Sequence, residues 1–141
     1  MTSGYSGTPL SKKLGVEAGS IVGTFGADPG FLRRLLEPLP EDVVVSERPD
    51  AVCDVIVAFA VTALELEERF AAALELLPAA GGLWVAWPKR SSGVATKLDF
   101  DVVQAHGLER GLVDNKVCAI DDIWSGLRFV VRVADRAAWP R

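Results

Sequence analysis

Two uninterrupted apolar runs, DVIVAFAV from Asp54 to Val61 and GLWVAWP from Gly82 to Pro88, bracket a single amphipathic segment. A strand with one wet face alternates apolar and polar residues, whereas unbroken β-branched runs belong to strands covered on both faces. Between the runs, Leu66, Phe70, Leu74 and Leu77 recur at helical spacing and give a stripe that faces inward. Thr62 and Glu65 form a capping box that starts this helix, and Pro78 with Gly81 and Gly82 ends it. Strand, helix and strand in that order require a βαβ crossover and two covered faces.

The rest of the chain extends the alternation. Pro9 opens a short helix behind Thr8 as its cap, and Gly15 stops it. A strand from Ile21 to Phe25 leads through glycines into a helix from Asp28 to Leu36, capped by Asp28 with Pro29 inside. Val43 to Ser46 is a short strand, and Thr96 with Asp99 suggests a capping box for a helix that stops at Gly107. Val113 to Ile120 and Leu127 to Val133 then read as strands joined only by DDIWSG, which makes them an antiparallel hairpin. Residues 1–7 and 134–141 are expected to be loose ends of a single 141-residue α/β domain. The expected architecture is three-layered and Rossmann-like, a mostly parallel sheet ending in an antiparallel C-terminal hairpin.

Charge narrows the partners. A net charge of -4 argues against a nucleic-acid or anionic-membrane surface. The longest apolar run, Val55 to Ala63, is too short to span a bilayer, and no apolar leader opens the chain, so a cytoplasmic location is expected. Cys53 and Cys118 sit among apolar residues and read as buried reduced thiols.

A parallel sheet closed by an antiparallel hairpin resembles a shortened class I methyltransferase domain, through CDVIVAF, LPAAGGLWVAW, a helix ending in glycine and the final hairpin. Three further stretches, GYSGTPLSKKLG, LWVAWPKRSSGVATKLD and GLVDNKVCAIDDIWSGLRFVVR, are similar to the bacterial family catalogued as domain of unknown function 3052. That resemblance spans nearly the whole chain and implies a fold without implying a reaction, cofactor or catalytic residue.

In open α/β sheets, ligands sit beyond the carboxyl ends of the strands, where strand order reverses. One candidate there is the turn after Phe25, with Gly26, Asp28, Glu47 and Thr62 around a cofactor such as S-adenosylmethionine. The glycines match neither G-x-G-x-x-G nor the P-loop, nor the acidic-G-x-G turn of working methyltransferases. Asp28 also puts a negative charge where a phosphate would bind, and Pro29 removes a donor.

PKRSSGVATK leaves the same edge of the sheet. Lys89 and Arg90, with Ser92 and Gly93 in the loop, could make an anion nest. Asp121, Trp124 and Ser125 of the hairpin loop could face them as a polar rim, although for Trp124 packing on the sheet is the favoured reading. Asp114 to Lys116 reads as a surface turn.

Materials for enzyme chemistry are sparse. The one histidine, His106, lies near a helix C-terminus, where the dipole favours its charged form, and two cysteines alone build no metal site. No serine stands in G-x-S-x-G. The leading expectation is therefore a domain without a cofactor, leaning away from catalysis, that binds a small anionic molecule or another protein through Lys89 to Gly93 and Asp121 to Ser125. A divergent S-adenosylmethionine-dependent methyltransferase is the alternative. A third reading, suited to four tryptophans, is a homodimeric interaction module.

Overall fold

The computed structural model describes residues 7–139. Six strands form one sheet: β1 (Ile21–Phe25), β2 (Val44–Ser46), β3 (Val55–Phe59), β4 (Gly82–Pro88), β5 (Leu112–Ala119) and β6 (Trp124–Val131). Their spatial order is β2-β1-β3-β4-β6-β5. The first four run parallel, and β6 lies antiparallel between β4 and β5. Four α-helices flank the sheet: α1 (Leu10–Leu14), α2 (Phe31–Leu36), α3 (Ala63–Leu74) and α4 (Phe100–Glu109). This is the expected mixed α/β, Rossmann-like architecture, and among the described residues no helix is long and apolar enough to cross a membrane.

The unbroken apolar runs divide between two cores because strand side chains alternate in direction. Ile56, Ala58, Leu83, Val85 and Trp87 pack under α3 and α4 with Leu66, Phe70 and Val103. Val55, Val57, Phe59, Trp84 and Ala86 pack on the other face with Leu14, Leu32 and Leu36 of α1 and α2. Each Leu, Ile or Phe fully buried in this way contributes roughly 1.5–3 kcal/mol before ordering costs.

Several element ends differ from the sequence expectation, each for a local reason. α2 starts only at Phe31 because Gly30, at φ 77°, takes the cap position and the Glu47 carboxylate accepts its N–H. α3 opens with the expected capping box but ends at Leu74, while Leu77 stays buried beyond it. Asp99 alone caps α4, through a 2.9 Å bond from the Val102 N–H. That helix runs through Gly107, which is buried rather than terminal. Trp124, Ser125 and Gly126 belong to β6, leaving a shorter hairpin loop. The Asp114–Lys116 stretch is an irregularity within β5, where the register shifts.

The expected lead-in at residues 1–7 lies almost wholly outside the described residues. At the other end, Val133–Ala138 forms a 3-10 helix, and the Trp139 indole donates to the Leu77 carbonyl at 2.6 Å.

Candidate functional site

Two depressions open at the carboxyl edge of the parallel strands, one on each face of the sheet. The first is a groove of about 440 Å3 beyond the end of β4, with Trp87 and Leu98 in its floor and Lys89, Arg90, Lys97 and Ser125 around it. Its loop is held at several points. The Lys89 N–H donates to the Ile123 carbonyl at 2.7 Å, which docks the loop onto the hairpin. Arg90–Ser92 form a 3-10 turn, closed by the Ser92 hydroxyl donating to the Lys89 carbonyl at 2.6 Å and accepting from the Val94 N–H at 3.1 Å. Gly93 follows at φ 79°, a left-handed conformation that suits glycine. The Thr96 hydroxyl donates to the Val61 carbonyl and accepts from the Leu98 N–H, tying the loop to the start of α3.

Lys89 is half-buried and Arg90 and Lys97 are exposed. Among the described residues none of the three has a carboxylate within ion-pairing distance. Asp99 also lines the groove, its Oδ1 accepting from the Val102 N–H, so three cations against one carboxylate give a net positive field in a chain that is acidic overall.

The second depression lies between the ends of β1 and β3, where strand order reverses. It measures about 150 Å3 and is lined by Gly26, Ala27, Asp28, Phe31, Phe59 and Trp124. The Phe59 ring stands edge-on to Phe31 at 5.7 Å and to Trp124 at 5.0 Å. Beneath Gly26, Arg69 donates to the Phe59 carbonyl at 2.7 Å and pairs with Glu65 at 3.5 Å. The Val61 N–H, foremost, and then the Thr62 N–H and Arg69 hold the Glu65 carboxyl below its usual range.

The sequence candidates therefore divide between the two faces. Lys89, Arg90 and Ser125 share the groove, whereas Trp124, one residue from Ser125 on β6, projects into the crevice. Ser92 and Gly93 shape the groove's loop. Asp121 makes the hairpin turn, its Oδ1 accepting from the N–H groups of Ile123 and Trp124 at 2.8 Å each. Gly26 and Asp28 line the crevice, Glu47 bonds to Gly30, and Thr62 caps α3 through a 3.1 Å bond from the Glu65 N–H. Lys97, Val94 and Phe100 also line the groove. No periodicity announces them, because they converge only through the path of a loop.

S-adenosylmethionine, the cofactor of the alternative reading, does not fit the crevice as its side chains stand. Clefts that enclose ligands of that order measure about 300–1,000 Å3, against about 150 Å3 here. Glu47, placed to grip a ribose, is committed to Gly30, and Arg69 fills the gap behind Gly26. Among the described residues, no three His, Cys, Asp or Glu gather into a metal site.

His106 departs from the sequence expectation. Burial against Phe70, with rings 5.0 Å apart, and then the Arg110 charge push its pKa down, so desolvation outweighs the helix end.

No family model and no curated protein matches the chain. Solved structures do. Ribosomal protein L11 methylase from Lactobacillus delbrueckii subsp. bulgaricus aligns over 87% of this chain and 75% of its own, with a TM-score of 0.62 and 14% identity. TrmN from Thermus thermophilus aligns over 88% of this chain, with a TM-score of 0.55 and 12% identity. The alignment takes in 47% of TrmN, so the chain spans about half its length. What is shared at these identities is the fold, which is methyltransferase-like.

Proposed function

We propose that this chain is a methyltransferase-fold domain that binds a small anion, a carboxylate or phosphate, in the groove beyond β4. One observation carries the reading: Lys89, Arg90 and Lys97 meet around a single groove, three cations against the one carboxylate in its lining, Asp99, with which none of them pairs among the described residues. An arginine offers a planar fork to an oxyanion and lysines add mobile point charges, a combination suited to carboxylate and phosphate. The groove's place at the carboxyl edge of a parallel sheet is where this architecture presents ligands. Membership in the bacterial family of domain of unknown function 3052 is part of the same proposal.

Thermal unfolding in acetate and in phosphate tests it, at constant ionic strength so that screening does not mimic binding. Tenfold excess of ligand over Kd stabilises by about 1.4 kcal/mol. Wild type should gain stability, and a Lys89→Ala, Arg90→Ala double variant should not. Equal protection of the two proteins would remove the groove as the site.

A divergent S-adenosylmethionine-dependent methyltransferase is the second reading, and the likeness to ribosomal protein L11 methylase favours it over a non-catalytic binder. The filled crevice favours the first. On the second reading Gly26, Asp28, Glu47 and Thr62 would surround the methyl donor, once Glu47 and Arg69 moved aside, and the groove would take the acceptor. Calorimetry with S-adenosylmethionine decides: binding by wild type that Glu47→Ala abolishes would put methyl transfer first.

A further inference from the structure

We propose that the groove's ligand is amphipathic, an organic carboxylate or phosphate ester with an apolar body rather than a bare oxyanion. The inference rests on the anion-binding reading above and names the class of ligand that site takes. Two features of the groove point to it.

The first is size. At about 440 Å3 the groove falls in the range of clefts that enclose whole organic molecules, and an inorganic phosphate or acetate would leave most of it to water. The second is its surface. Trp87 and Leu98 form an apolar floor, 6% and 4% exposed. Val94 and Phe100, also in the lining, are 40% and 39% exposed. A site for a hydrated oxyanion needs cations and backbone donors and has no use for exposed aliphatic and aromatic side chains beside them. Here those side chains share one groove with three cations that outnumber its single carboxylate, Asp99, which matches a ligand charged at one end and greasy along its body.

Alkyl carboxylates of increasing length measure this directly. From acetate through butyrate to hexanoate the charge is constant and only the apolar body grows. Each methylene that leaves water should tighten binding about threefold to fourfold. Benzoate should exceed acetate, and phenyl phosphate should exceed inorganic phosphate. Hexanol, with the body and no charge, should not bind. Val94→Ser with Phe100→Ser, both at exposed positions, should flatten the dependence on chain length.

The outcomes separate the two proposals. If acetate and hexanoate bind equally, the amphipathic inference fails and the anion site stands. If no anion binds, both fail. If hexanol binds as tightly as hexanoate, the cations are irrelevant and the anion reading fails.

Discussion

The Nη1 atom of Arg69 donates a 2.7 Å hydrogen bond to the carbonyl of Phe59, bridging α3 to the carboxyl end of β3. The same guanidinium lies against Gly26, where an added Cβ would fall 2.5 Å from Nη1 and 2.6 Å from the Phe59 carbonyl oxygen. The point at which strand order reverses is thus braced by the chain's own side chain.

Gly26→Ala should therefore be costly. It forces a non-glycine residue to φ 83° and drives a methyl group into the Phe59 carbonyl. Left-handed strain and overpacking each cost about 1–3 kcal/mol. Urea unfolding should show a loss in that range or above. Arg69→Ala in the same chain should recover only part of it, because the carbonyl and the dihedral remain. Full recovery would mean that the guanidinium alone sets the constraint.

Gly107→Ala should destabilise by a comparable amount, for a reason the sequence conceals. Its Cβ would meet the Phe129 ring at 2.0 Å, where α4 lies on β6. Phe129 is fully buried and itself packed on Phe70, so it has little room to yield. A midpoint within experimental error of wild type would show that α4 can lift off the sheet freely.

The Gly107 pair marks the limit of what was legible in the sequence. A glycine after an apolar periodic stretch reads as a helix stop, and only the ring across the sheet gives the other reason for it. The parallel strands were legible because DVIVAFAV and GLWVAWP carry their two-sided burial in their composition. The capping box at Thr62 and Glu65 was legible because both partners are local. The candidate site was legible only in part. Lys89 and Arg90 follow directly from the end of β4, but the separation of Trp124 from Ser125 depends on strand parity within β6. In the sequence the DDIWSG stretch has the composition of a loop, where parity has no meaning. Glu47 meets Gly30 across 17 residues, a contact no local pattern encodes.

The two thiols should differ in reactivity. Cys53 is 1% exposed, with its thiol donating to the Ala51 carbonyl at 3.3 Å. Burial, and then the charges of Asp54 and Asp50, push its pKa up. Cys118 is half-buried, and burial raises its pKa too, against the opposing charges of Lys13 and Lys116. Alkylation of the folded protein near neutral pH should be slow at both sites because little thiolate is present. It should modify Cys118 well before Cys53. Mass spectrometry of timed samples would count against this packing if Cys53 were labelled at the same rate.

His106 gives the stability a pH dependence of known sign. Among the described residues its buried Nε2 has no hydrogen-bond partner, and desolvation, then Arg110, lower its pKa, while Glu109 and Glu67 act in the other direction. The folded ring therefore holds its proton less tightly than the unfolded chain, whose value is near 6.5. Above that pH both states are neutral and His106 adds no slope. As pH falls below it, the unfolded chain takes up a proton first, so stability declines until the folded ring titrates as well. His106→Leu keeps an apolar group against Phe70 and removes the titration. Urea unfolding of both proteins from about pH 7.5 down to about pH 5 should show wild type losing stability relative to the variant as the solution becomes acidic. Parallel curves over that range would mean that the ring gains a proton as readily in the folded protein as in the unfolded one.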